Sequence, residues 1–434
     1  MTENTTLKIG IAGLGTVGAS VVKIIQEEQE MLAARAGRAI KIAAVSARDK
    51  NRDRGIDLSG IAWADNAETM AENPDIDVVV ELVGGSEGTA KNLVMQALQN
   101  GKDVVTANKA LLAHHGAEFF ALAEKNGRAL AFEAAVAGGI PIIKALREGL
   151  AANHISAVYG ILNGTCNYIL TEMWRNGLDF ETALKQAQEE GYAEADPSFD
   201  IDGVDAAHKL TILSALAFTG RPDFAHVETE GLRNVSAVDI DYAAELGYRI
   251  KLLGIARLTP EGVVQTVAPC MIPEESNLAA VEGATNAVFI EGDRVGPTLY
   301  VGAGAGGNAT ASAVIADLVD IARGNVPPSG AFVETEKTAP FDSREGRFYL
   351  RLTVEDRIGV MADVTAVLRD HKVSMKSILQ YGQGGAKSVP LIMITHKAKE
   401  AAVRDALAAL AALDAVQEKP CVLRVEIPGG TEEI

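Results

Sequence analysis

The stretch GYAEADPSFDIDGVDAAHKL, residues 191–210, sets five carboxylates (Glu194, Asp196, Asp200, Asp202 and Asp205) within twelve positions and follows them with Lys209. Asp205 and Lys209 are four residues apart, so on a helix they share one face. The plain alternative is an exposed ion pair of small energetic value. Against it, the following run TILSALAF is strongly apolar, which buries the helix, and lysine is rarely buried without a partner. A partly buried lysine beside a carboxylate can hold a proton and deliver it to an alkoxide forming during hydride transfer. Glu194 and Asp200 in the loop EADPSFD are suited to a cationic amino group, while Asp196 and Asp202 read as loop and helix-capping residues. A calcium loop is the rival, but the spacing does not match an EF-hand and its terminal Glu is missing.

A second lysine lies in TANKALLA, residues 106–113. Asn108 is a helix-capping residue type, which puts Lys109 in the first turn, where the helix dipole disfavours a cation. Either another requirement keeps it there or it is a solvated lysine. GLGTVG (Gly13, Leu14, Gly15, Thr16, Val17, Gly18) follows the strand-like LKIGIA and opens a helical run. In that context Gly13 permits the turn, Gly15 lets backbone approach a pyrophosphate and Gly18 allows close helix–strand packing. The helix N-terminus then favours phosphate. The alternative is a glycine-rich turn without ligand. At the end of the second strand, VSARDKNR offers Arg48, with Lys50 nearby, for the 2′-phosphate of NADP; Asp49 leaves NAD open. A salt-bridged surface arginine is the alternative for Arg48.

The elements that position these residues follow from patterning. Residues 7–136 alternate β-branched runs with helical ones, which predicts right-handed βαβ units and a parallel, Rossmann-type sheet. We take 1–138 as the dinucleotide-binding domain, with the helix of 306–325 packing back on it. Residues 139–325 form the second unit, where strand-like runs separated by turn signals predict a largely antiparallel sheet with helices on one face. NVPPSGAFVETEKTAPFDSREG, residues 325–346, is rich in Pro, Gly and charge, so 326–346 reads as a linker. Residues 347–427 give the order βαββαβ, a ferredoxin-like unit. The whole is an α/β chain with an α+β middle domain.

A net charge of −18 argues against nucleic acid and anionic membrane as partners. The three cysteines, Cys166, Cys270 and Cys421, are scattered, with no zinc spacing and no disulfide framework. MTENTTLKIG does not read as a signal peptide, and no apolar run is long enough to span a bilayer. A reducing cytoplasm is the expected location.

Taken in order, GLGTVG, ELVGG (81–85), TANKALL, FEAAVAGGIPI (132–142), ILNGTCNYIL (161–170), the 191–210 block and VGAGAGGNATASAV (301–314) resemble the homoserine dehydrogenase family, in its monofunctional bacterial form with a C-terminal ACT domain. DRIGVMADVTAVL looks like the first loop and helix of that domain. The resemblance implies NAD(P)H-dependent interconversion of L-homoserine and L-aspartate 4-semialdehyde, towards threonine, methionine and isoleucine. It implies Lys209 as proton donor and acceptor, Asp205 as its partner, Glu194 and Asp200 at the substrate, and Lys109 at both cofactor and substrate. Thr106 and Gly306 would line the cofactor. It further implies a monovalent cation, usually sodium, on Glu133 and the carbonyls of Val136, Gly138 and Ile140. Cys166 is assigned to packing. L-Threonine is the expected effector at the ACT domain, with a purely oligomerising module as the alternative, and a homodimer or homotetramer is expected. Two rivals stand beside this: an aspartate-semialdehyde dehydrogenase with Cys166 as nucleophile and His154 as base, and a non-catalytic, cofactor-binding amino-acid sensor. At this length a bifunctional aspartokinase fusion is not expected.

Overall fold

The computed structural model describes residues 6–325, 336–380 and 387–430. The β-branched runs of the first domain form β1 (Leu7–Ala12), β2 (Ile40–Ser46), β3 (Ala62–Trp63), β4 (Val78–Glu81), β5 (Asp103–Thr106) and β6 (Leu130–Ala131). They pair in parallel in the order β3-β2-β1-β4-β5-β6. Helices cover both faces, which is why β4, VVVE, is buried at every residue. The strand order reverses between β1 and β4, and ligands of open α/β sheets bind outside the carboxyl ends of the strands at such a point. The Gly307–Arg323 helix returns from the second domain to pack on the Thr16–Glu27 helix.

The second domain is built on β7 (Ile155–Ile161), β8 (Val227–Thr229), β9 (Tyr248–Thr259), β10 (Gly262–Pro273), β11 (Thr285–Gly292) and β12 (Gly296–Ala303). Strands β12-β11-β7-β9-β10 run antiparallel, and β8 joins β10 in parallel. Among these β7 has no counterpart in the sequence reading: ISAVYGI carries Ser156 and Gly160 and lacks an apolar–polar alternation, because it is an interior strand buried over most of its length. On one face lies the Val204–Ser214 helix, buried at every residue from Asp205 onward and packed on β9 and β10. The other face gathers Tyr159, Ile161, Leu253, Ile255, Cys270 and Phe289 in a separate apolar cluster, as period-two alternation requires.

The C-terminal domain consists of β13 (Glu345–Glu355), β14 (Met375–Gln380), β15 (Ser388–Thr395), β16 (Ala398–Lys399) and β17 (Cys421–Val425), with helices Val360–Asp370 and Glu400–Ala411. Its sheet order, β17-β13-β15-β14, is ferredoxin-like. β17 also pairs with β10 (Cys270 opposite Arg424, Met271 opposite Val425), so the two domains share one sheet. Of the expected linker, 326–335 lies outside the described residues. Residues 336–339 are tied to the second domain: Glu336 N–H donates to the Phe218 carbonyl, and Val263 exchanges backbone bonds with Lys337 and Ala339. No described helix is long and apolar enough to cross a membrane.

Candidate active site

The glycine loop sits at the switch point. Gly13 has φ 101°, and a Cβ there would lie 2.3 Å from the Leu82 carbonyl oxygen. A Cβ on Gly18 would meet the Gly13 carbonyl, whereas one on Gly15 would meet nothing within 4 Å. The first and third glycines are therefore demanded by packing, and the second faces open space where a ligand can approach. Leu14 is buried, while Thr16 is exposed at the helix start. A cleft of about 540 Å³ opens here, lined by Gly13, Gly15, Arg48, Arg52 and Arg54 among others. Arg54, which the sequence reading passed over, donates to the Leu14 and Asp49 carbonyls and so ties the arginine-rich loop to the glycine loop. Lys50 instead lies over the Trp63 ring, 5.8 Å from its centroid. Gly306, at φ 114°, precedes the Gly307–Arg323 helix, and Gly307 abuts Thr16 and Ser20 of the first helix.

At the ends of β4 and β5, Glu81 is fully buried and accepts from Val83 N–H, Gly84 N–H and the Thr106 hydroxyl (2.6 Å). Burial pushes its carboxyl up, against those bonds. Thr106 is thus turned inward, and its hydroxyl oxygen also accepts from Asn108 N–H. Asn108 Oδ1 caps the Lys109–Asn126 helix through Leu111 N–H, and its Nδ2 donates to the Gly85 carbonyl. These bonds fix where Lys109 leaves the sheet.

Lys109 reaches Asp205. Its Nζ is 2.9 Å from Oδ1, while Lys209 Nζ is 2.7 Å from Oδ2 of the same carboxylate. Lys209 also donates to the Leu162 carbonyl at 2.6 Å. Asp205 is 4% exposed. Burial alone would favour its neutral form, but the two ammonium groups hold its carboxyl well below the usual range. Asn163 Nδ2 bridges from Asp205 Oδ2 (2.9 Å) to Asp200 Oδ1 (2.7 Å). Asp200 is shifted upward, chiefly by burial and further by Asp205's charge, against the Asn163 bond. The structure therefore gathers Lys109, Lys209, Asp205 and Asp200 around one point. Glu194 is exposed, on the loop between the exposed Tyr192 and Phe199. Asp196 accepts from Ser198 N–H, and Asp202 pairs with Arg233 on the surface. The role of Asn163 was missed, though an Asn after a strand and before a helix is a cap signal.

Cys166 is 0% exposed, its thiol is pushed up by burial, and its Sγ donates to the Asp200 carbonyl. His154 is exposed just before β7, whereas Cys166 follows that strand's far end. A strand of this length separates the two by roughly 20 Å, so they form no nucleophile–base pair.

Glu133 is buried, its carboxyl pushed up by burial. Its oxygens accept Ile143 N–H (2.8 Å) and Lys144 N–H (3.0 Å), and its own N–H donates to Asp317. Burial and the neighbouring Glu133 raise Asp317 to about 8. Ala137, at φ 50°, turns the chain among Val136, Gly138 and Ile140, and the Ile140 carbonyl accepts from Ile142 N–H. Among the described residues no cluster of three or more His, Cys, Asp or Glu side chains has metal-binding geometry.

Comparison with known proteins identifies the family. Residues 141–319 match the family model described as homoserine dehydrogenase, 13–133 the one described as homoserine dehydrogenase, NAD binding domain, and 348–414 that of the ACT domain. The chain is 46% identical to homoserine dehydrogenases of Pseudomonas aeruginosa and Neisseria gonorrhoeae, covering 97% of this chain and 99% and 98% of theirs. A solved homoserine dehydrogenase from Thiobacillus denitrificans superposes with a TM-score of 0.92 at 46% identity, over 98% of this chain and 99% of that one. A hyperthermophilic archaeal homoserine dehydrogenase solved with NADPH gives 0.63 at 28% identity, over 75% of this chain and 99% of that one. With a nicotinamide-type fold, a lysine–aspartate centre and relatives matched over nearly its full length, the chain belongs to the homoserine dehydrogenase family, oxidoreductases that carry here a C-terminal ACT domain.

Proposed function

We propose that this member works with NADP and that Lys209 moves the proton between L-homoserine and L-aspartate 4-semialdehyde. The observation carrying this is that Lys109 and Lys209 hold opposite oxygens of one buried carboxylate. The nicotinamide, when bound, supplies or accepts the hydride. Lys209 donates a proton from Nζ to the substrate oxygen as it gains charge and takes one back in the reverse direction. Asp205 keeps Lys209 protonated and aimed. Lys109, 35% exposed at its side chain, bridges the same carboxylate to the cofactor side. Asp200 and Glu194 receive the substrate's amino group. Lys209→Ala should lower kcat far more than it raises KM, and Lys109→Ala should do less. The reverse ranking would transfer the proton role to Lys109, and an unchanged KM for homoserine in Glu194→Ala would remove Glu194 from the substrate end.

The fingerprint loop (Gly13, Leu14, Gly15, Thr16, Val17, Gly18) and Gly306 would hold the pyrophosphate side, while the fully buried Thr106 braces the ends of β4 and β5 through Glu81 and Asn108 instead of meeting the cofactor. Arg48 at the cleft, with no acidic residue closing β2, supports a 2′-phosphate; a higher kcat/KM with NAD than with NADP would sink that preference. The residues around Glu133 fit a monovalent cation. The donors are all oxygens, each carboxylate oxygen has a lone pair beyond the amide bond it accepts, and the Glu133–Asp317 pair lies in a buried, acidic place. Glu133 and the carbonyls of Val136, Gly138 and Ile140 would hold it. An identical melting temperature in sodium and in a bulky organic cation would argue against this site.

For the ACT domain, a cleft of about 400 Å³ lined by Asp356, Arg357, Ile358, Gly359 and Gln380 supports an amino-acid effector, with L-threonine the first to test by melting shift. The outer strand β12, with Val301 on it and Val295 just before it each about half exposed, supports a homodimer, with a tetramer through the ACT domains as the larger assembly; light scattering decides. Three buried, unpaired thiols suit a reducing cytoplasm, and fractionation of cells tests that location.

A further inference from the structure

Asn163 sits at the N-cap of the Gly164–Asn176 helix, where its Oδ1 accepts Cys166 N–H at 2.8 Å. That bond fixes which way the carboxamide faces. The Nδ2 group is then aimed at two carboxylates at once, Asp200 Oδ1 at 2.7 Å and Asp205 Oδ2 at 2.9 Å. The side chain is 5% exposed, and both of its N–H donors and one of its two carbonyl lone pairs are in use. Capping needs only the acceptor. Serine, threonine or aspartate would cap this helix as well, but none can accept from Cys166 and donate to two acceptors together.

We propose that Asn163 is a positioning residue of the reaction: its carboxamide locks Asp200 and Asp205 into one arrangement and keeps both ionised without adding charge. The proposal rests on reading Asp200 as part of the amino-group end. Asp205 already has two cations, Lys109 and Lys209. Among the described residues, Asp200 has no ion pair, and its carboxylate is held by Asn163. Asp200 is half-buried and feels Asp205's negative charge. A lysine in place of Asn163 would quench that repulsion, but it would compete with the substrate's ammonium for Asp200 and with Lys209 for Asp205. A neutral donor avoids both. The same residue also fixes the backbone beside the carbonyl of Leu162, which accepts from Lys209. Both ends of the site, proton transfer and amino-group binding, are thereby referred to one point on the chain.

The test uses the full-length enzyme with Asn163→Ser and Asn163→Asp. Both retain a capping side chain, so helix and fold should persist, checked by melting temperature and circular dichroism. Asn163→Ser should lower kcat/KM for homoserine by about tenfold or more, as expected for leaving a carboxylate without its donor. KM should rise more than kcat falls, and the acidic limb of the pH profile should move upward. Asn163→Asp, which adds a third carboxylate, should move that limb further. KM for NADP should change less than about twofold in either. A folded Asn163→Ser enzyme with parental kcat/KM and an unmoved acidic limb would overturn the proposal. Should that variant fail to fold, Asn163→Asp decides by the same readings. Asp200→Asn separates this from failure of the underlying reading. If Asp200→Asn leaves homoserine KM unchanged, the amino-group assignment is wrong; if it raises KM while the Asn163 variants do not, only the role of Asn163 is lost. In the double variant Asp200→Asn, Asn163→Ser the second change should add little to KM.

Discussion

Two buried ionic networks in this chain are built from different cations. At the proposed catalytic centre Asp205 is held by two lysines, and Lys109 is still about a third exposed. At the seam between the second and ACT domains, Glu426 pairs with Arg257 and Arg344, Glu400 with Arg344 and Arg424, and Arg424 with Glu230. Beside them Asp239 takes Arg351 in a two-point grip (2.7 and 3.1 Å) and the Tyr349 hydroxyl. Guanidinium stays protonated and its planar fork matches carboxylates bidentately, whereas a lysine ammonium is a compact charge that can release its proton. The seam is therefore a fixed clamp between two sheets that share a strand pairing. The proposed catalytic centre instead uses lysines, whose charge can change hands.

The largest test of this contrast is Lys209→Arg. It preserves the charge beside Asp205 but removes the transferable proton, so kcat should fall by about 10²- to 10⁴-fold while the melting temperature stays close to the parent's. A variant that keeps near-native turnover would mean that charge alone, and not proton transfer, is what the centre requires.

The seam should respond the opposite way. Asp239→Ala removes the partner of Arg351 and Tyr349 and also the capping box of the Ala237–Glu245 helix. Breaking a buried pair from one side costs about 3–5 kcal/mol, read as a lower midpoint in urea. A loss under about 1 kcal/mol would show that the seam is a passive contact and that the shared sheet carries the docking.

How much of this was written locally explains what could be read early. The glycine loop, the Asp205–Lys209 face and the Asn108 cap each lie within a few residues, so spacing and helix periodicity reveal them. Asn163 meets its carboxylates 37 and 42 residues on, and Asp317 receives the Glu133 amide from 184 residues away. No local period encodes such meetings. Arg54 was missed because a loop arginine reads as solvated until its backbone acceptors are placed. The joining of the ACT sheet to β10 rests on two paired positions, too short a register to announce itself in sequence. Strand β7 was hidden by burial on both faces, which erases the alternation that marks half-exposed strands.

The smallest expected effect concerns His208, the neighbour of Lys209 in sequence. Its ring lies among Phe224 (4.6 Å between centroids), His114 (5.2 Å) and Phe199 (5.6 Å). Neither ring nitrogen has a hydrogen-bond partner among the described residues. Burial, then the nearby His114, lowers it from 6.5 to about 4. Because the folded value is depressed, the unfolded chain binds the proton more readily between those two values. The neutral ring's contribution is therefore complete above pH 6.5 and is lost as pH falls towards 4, amounting to about 2 kcal/mol by pH 5. At the seam, by contrast, Arg257 and Arg344 hold Glu426 below its ordinary value despite burial. Acidification from pH 7 to 5 should thus loosen the Val204–Ser214 helix while β17 keeps its protection, measured by amide hydrogen exchange corrected for intrinsic rate. His208→Phe, which forfeits no hydrogen bond, should abolish most of that difference. If the helix and β17 lose protection in parallel, or if His208→Phe follows the parent's pH slope, the acid-sensitive element lies elsewhere and the contrast between the two networks rests on turnover alone.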